Sequence, residues 1–127
     1  MTTSTHLRAL ALLSAAGAAA LGGCALLFSD LSGPAAHRLV AQGARLVDVR
    51  SQEEWDAGHL QGALHIPIDL LPARLAQLEP KEAAVIVYCR SGARSSRAKK
   101  VLLAAGFREV YNLGPMSAWG EPEEQSP

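Results

Sequence analysis

Neither sign of charge dominates this chain: twelve basic and twelve acidic side chains cancel. The balance argues against nucleic acid as a partner, because a broad pull on phosphate needs a basic excess. Aromatics are scarce at 5%, so the core is expected to be aliphatic. Cysteine is scarcer still, with Cys24 in "ALGGCALL" and Cys89 in a polar turn. Two residues in such different settings do not make a disulfide framework. No C-x-x-C and no Cys/His cluster suggests a metal site, and His6, His37, His59 and His65 are scattered as structural or exposed residues. There is no internal repeat. A length of 127 residues fits one small domain. The 49% hydrophobic content supports a folded core, although the Ala/Leu-rich N-terminus inflates it.

That N-terminus reads as an address. "MTTSTHLR" supplies a polar start with Arg8, and "ALALLSAAGAAAL" an uncharged apolar stretch. Together with the small residues that follow, these are the parts of a secretory signal. Leu21-Gly22-Gly23-Cys24 resembles a bacterial lipobox, a pattern in which the cysteine becomes the first mature residue and carries diacylglycerol. The chain then divides into a signal peptide (1–23), an anchor and linker from the lipidated Cys24 (24–30), a folded domain (31–120) and an acidic, disordered tail (121–127). Two alternatives stay open. Ala9 to Phe28 carries no charge and matches the roughly 20 apolar residues of a transmembrane anchor, and ordinary cleavage would release the domain. All three readings place it outside the cytoplasm, and the first two attach it to the periplasmic side of the membrane.

Along the remaining chain, strand and helix signals alternate. "SDLSGPAAHRLVAQG" offers Pro34 near a first helical turn and Gly43 as a stop. "ARLVDV" reads as a strand. "SQEEWDAG" opens with a capping box, Ser51 with Glu54, and closes at Gly58. "GALHIP" is a brief strand. "LPARLAQL" reads as a helix with Leu71, Leu75 and Leu78 on one face, ended by Pro80. "AAVIVYC" is a continuous apolar run suited to a central parallel strand. "SSRAKKVLLAAG" reads as a helix with Val101, Leu102 and Ala105 inward, "REVYNL" as the last strand, and "PMSAW" as one more turn. The alternation predicts an α/β domain with an open parallel β-sheet flanked by helices.

Cys89 then falls at the carboxyl end of the central strand, the end at which open α/β sheets bind ligands. A helix begins just after it, and helix N-termini favour anions. Gly92 permits a turn whose amides point inward. A thiol in that cradle should ionise readily, with Arg90 and Arg94 adding positive charge. A nucleophilic thiolate beside a bound anion is the expected chemistry.

"LVDVRSQEEWDAGHLQGALHIP" (46–67), "VIVYCRSGARSSRAKKVLLAAGF" (85–107) and "VYNLGPMSAW" (110–119) together resemble a single rhodanese domain, a sulfurtransferase family. The resemblance implies that Cys89 is the catalytic nucleophile. It attacks the outer sulfur of an anionic donor such as thiosulfate and passes the sulfur, as a persulfide, to cyanide or a thiol. It also implies that Arg90, Ser91, Gly92, Ala93, Arg94 and Ser95 bind substrate, that no metal or organic cofactor is needed, and that Asp48 and Arg50, matching the family's D-x-R, support the site. Arg50 is expected to pair with Glu53 or Glu54. The loop from Cys89 to Arg94 is C-x4-R, shorter than the C-x5-R of related phosphatases and arsenate reductases, which favours sulfur transfer. A non-catalytic binding module on the same fold is the other reading. Gln61 and Pro115 depart from the family's usual Pro and Gly at those places.

Overall fold

The computed structural model describes residues 29–121. The signal and anchor segments, Cys24 and the tail beyond Glu121 lie outside the described residues. No helix among those described is long and apolar enough to cross a membrane.

Four parallel strands form the sheet: β1 (Arg45–Asp48), β2 (Leu64–His65), β3 (Val85–Cys89) and β4 (Val110–Pro115), in the order β2-β1-β3-β4. β3 is central and buried at every position. Its period-two alternation sends Val85, Val87 and Cys89 to one face and Ile86 and Tyr88 to the other. That division explains the unbroken apolar run, because both faces are covered.

On the Cys89 face lie α3 (Ala93–Ala104), which contributes Ala98 and Leu102, and the chain between β2 and β3. That chain forms two 3-10 turns, Ile68–Ala73 and Leu75–Leu78, rather than the α-helix expected from its leucine spacing. Pro72 within the first turn has no N–H to donate, which favours short turns over a continuous ladder. The leucine face survives the change: Leu71 and Leu78 are fully buried and Leu75 packs against them. The opposite face is closed by α1 (Gly33–Ala41), through Ala36, and by the turn Met116–Trp119. A Cβ at Gly33 would collide with the carbonyl oxygens of Ala118 and Trp119, so only glycine allows α1 to dock here.

Ser29 and Asp30, placed in the linker by the sequence, belong to the fold. Asp30 donates its amide to Asn112 O (2.7 Å), and its carboxylate accepts from Asn112 N (2.8 Å) and Lys99 Nζ (2.5 Å). The outer edge of β4 is thereby capped.

Candidate active site

The site is built where β3 ends and α3 begins. Gly92, at φ 97°, turns the chain into the helix, a left-handed conformation that suits glycine. The turn folds back over the sulfur: Gly92 N donates to Cys89 Sγ at 2.9 Å, and Ser95 Oγ stands 3.3 Å from the same atom. Cys89 is 0% exposed and is the only free cysteine among the described residues. Burial pushes the thiol up, but the Ser95 hydroxyl and the amides of Ser95, Gly92 and Ser91 pull it further down, leaving it below its ordinary value. The leading causes are thus a hydroxyl and three amides, where the sequence reading had also invoked the two arginines.

Those arginines are placed differently from each other. Arg94, on the first turn of α3, forms a bidentate pair with Glu54, Nη1 to Oε2 at 2.7 Å and Nη2 to Oε1 at 2.8 Å. Glu54 belongs to α2 (Gln52–Ala57), where it also accepts from Ser51 N (3.0 Å) and Ser51 Oγ (2.9 Å), completing the capping box. Arg94 first of all, then the Ser51 donors, hold the Glu54 carboxyl well below the usual carboxylate range despite its partial burial. One carboxylate therefore ties a helix that buries no residue of its own to the cysteine loop. Arg90 is exposed and makes no ion pair among the described residues. Ser91 and Ala93 are exposed beside it, whereas Gly92 and Ser95 are buried.

Behind the loop sits a second buried pair. Asp48, at the end of β1, accepts from Arg50 N (2.9 Å), Nε (2.9 and 3.0 Å) and Nη2 (2.6 Å). Arg50 Nη2 also donates to Gly58 O at 2.7 Å. This corrects the expected pairing of Arg50 with Glu53 or Glu54: Asp48, two residues back, takes the guanidinium, and Glu54 goes to Arg94. Asp48 pairs in register with Tyr88, the residue before the cysteine. Burial pushes the Tyr88 hydroxyl up, and it accepts from Leu60 N at 3.1 Å. The pair thus fixes the floor on which the loop stands. His59 and His65 both stack on Trp55, with ring centroids 3.4 and 4.7 Å away. His59 Nδ1 lies 3.0 Å from Trp55 O, so its contacts are those of a loop-holding residue.

Sequence reasoning missed Asn112. It lies in β4 beside a bulge, where Val87 pairs with Asn112 and Tyr88 already pairs with Gly114. Its Oδ1 accepts from Gly114 N (2.9 Å), and its Nδ2 faces the Gly92 carbonyl (3.4 Å). Nothing in "VYNL" signals that contact, which spans twenty positions of chain. Arg97 and Lys100 lie exposed on α3, while Lys99 is taken by Asp30.

The sequence profile of the rhodanese-like domain family matches residues 34–121. The chain is 43% identical over 75 residues to a sulfurtransferase of Allochromatium vinosum, covering 58% of this chain and 69% of that protein. It is 36% identical over 78 residues to the thiosulfate sulfurtransferase PspE of Escherichia coli, covering 61% and 75%. Among solved structures, a human single-domain sulfurtransferase superposes with a TM-score of 0.62 at 30% identity, covering 76% of this chain and 96% of that one.

Proposed function

The chain belongs to the rhodanese-like family, and on that premise we propose that it is a sulfurtransferase working through a Cys89 persulfide. One observation carries the reading: the Gly92 amide donates to Cys89 Sγ at 2.9 Å and the Ser95 hydroxyl stands 3.3 Å from it, so both favour negative charge on a single sulfur atom at the carboxyl end of β3. In the first half-reaction the Cys89 thiolate attacks the outer sulfur of thiosulfate. The donor's S–S bond breaks and sulfite leaves with its electron pair. In the second, an acceptor nucleophile attacks the outer sulfur of the persulfide and Cys89 is returned as thiolate. The short loop, already closed on Sγ, supports sulfur transfer over a tetrahedral oxyanion chemistry. Exposed Arg90, next to Cys89 in the loop, adds a positive charge suited to drawing in an anion.

Intact mass after incubation with thiosulfate tests this. The soluble domain should gain one sulfur atom that cyanide removes, and Cys89→Ser should gain none. A folded wild type that gains nothing from thiosulfate or from a persulfide donor would move the domain to the binding-module class. We further propose, from the leader sequence, that Cys24 is lipidated and that the domain works at the periplasmic face of the membrane. A clickable fatty acid should label the wild type and not Cys24→Ala; equal labelling would refute it.

A further inference from the structure

We propose that the Ser95 hydroxyl is a swivelling donor that follows the charge on Cys89 Sγ, and that Asn112 is the positioning residue that frees it to swivel. The proposal rests on the sulfur-transfer reading above and reassigns Ser95 from substrate binding to the reacting sulfur.

Four polar or charged residues are buried among those described: Asp48, Arg50, Ser95 and Asn112. The first two satisfy each other. The other two meet at the Gly92 carbonyl, which accepts from Ser95 Oγ (3.1 Å) and faces Asn112 Nδ2 (3.4 Å). A serine hydroxyl has one hydrogen to donate, and Ser95 has two acceptors in reach, Gly92 O and Sγ. When Cys89 is a thiol, S–H donates to Ser95 Oγ and the hydroxyl donates to Gly92 O. When the thiol loses its proton, the hydroxyl turns to the anionic sulfur. Gly92 O is not orphaned by the turn, because the Ser96 amide (2.9 Å) and Asn112 Nδ2 still serve it. Asn112 is held in that pose by the Gly114 amide on its Oδ1. The buried carbonyl therefore escapes the penalty of an unmade hydrogen bond.

The catalytic consequence is specific. In the persulfide, Sγ is bonded to carbon and sulfur and is neutral, while the outer sulfur carries the charge. The hydroxyl then returns to Gly92 O. When the acceptor attacks the outer sulfur, the electron pair of the breaking S–S bond returns to Sγ and the hydroxyl meets it. Ser95 so serves one atom twice, as nucleophile and as leaving group.

Ser95→Ala removes only the hydroxyl and tests this by two readouts. The pH midpoint of iodoacetamide alkylation at Cys89 should rise by about one unit. Discharge of the loaded persulfide by cyanide should slow about threefold, with the KM for thiosulfate unchanged. Asn112→Ala should raise the midpoint by less, and Ser95→Ala/Asn112→Ala should titrate like Ser95→Ala alone, because Asn112 acts through Ser95. Unmoved midpoints, or a raised KM for thiosulfate with the midpoint unmoved, would overturn the role of Ser95, and additive shifts would overturn that of Asn112. The alkylation arm needs no donor. A wild type that fails to load sulfur therefore refutes the sulfur-transfer reading without deciding the swivel, which the midpoints then decide.

Discussion

Removing the Asp48 carboxylate is the most informative perturbation of stability in this fold. Asp48 is 0% exposed and receives the Arg50 amide, Nε and Nη2; in Asp48→Ala the guanidinium keeps only the Gly58 carbonyl and the face of Tyr88, 5.7 Å from the ring centroid. Arg50 itself is 6% exposed, so water cannot replace the lost acceptor. Breaking a buried pair from one side costs about 3–5 kcal/mol, because the other charge is left without a partner. A native domain has roughly 5–15 kcal/mol in all, so a large fraction of its stability is at stake. With a urea dependence of ~1.5 kcal/mol per molar, the unfolding midpoint should fall by about 2–3 M, read from Trp55 and Trp119 fluorescence. Asp48→Ala/Arg50→Met should lose much less than the sum of the two single variants, since it leaves no orphan charge. A single-variant loss below ~1 kcal/mol, or strict additivity, would refute the reasoning.

The other expectations are narrower. Glu54→Gln removes the carboxylate that joins α2 to Arg94 and should destabilise the domain by about 1–2 kcal/mol at pH 7, this pair being partly buried and bidentate. Because the folded Glu54 carboxyl is depressed, its contribution is fully present above the unfolded value of ~4.3 and is lost as pH falls through the folded value. The gap between wild type and Glu54→Gln should therefore stay constant from pH 7 to 5 and narrow below pH 4; a constant gap down to pH 2 would contradict it. Wild-type Cys89 should be alkylated with a midpoint below the ordinary thiol value of ~8.5, and a midpoint at or above it would count against the cradle. Gly33→Ala should lower the melting temperature by several degrees, since the added Cβ meets two backbone oxygens that cannot give way; an unchanged melting temperature would show that α1 can re-dock.

Much of this was readable from the sequence because it is local. The apolar run of β3, the Ser51–Glu54 capping box and the cysteine turn each lie within a few consecutive residues, and the structure contains all three. What escaped is non-local or geometrically degenerate. Leucines at 71, 75 and 78 line one face of an α-helix or of successive 3-10 turns equally well, so spacing alone could not choose between them. Arg50 had three carboxylates within four positions, and only the direction of the chain leaving β1 brings Asp48 to it. Glu54 and Arg94 are forty positions apart, and Asn112, beside the bulge of β4, reaches Gly92 across twenty. Asp30 looked like tether because its partners, Asn112 and Lys99, lie on elements far along the chain.

The complete burial of Cys89 bears on how copies of this domain behave toward one another and toward oxidants. A disulfide needs its two sulfurs ~2.05 Å apart, and two sulfurs that both lie beneath their own surfaces cannot approach so closely unless both loops open at once. Collisions between molecules should therefore rarely crosslink the domain through Cys89, although no second thiol stands beside it among the described residues. A slender reagent that ends in a single sulfur has to part only one loop, and a bulky thiol or disulfide has to part it further. Access to the sulfur is thus graded by the width of the visitor, and the same cover should delay oxidation of the resting thiol.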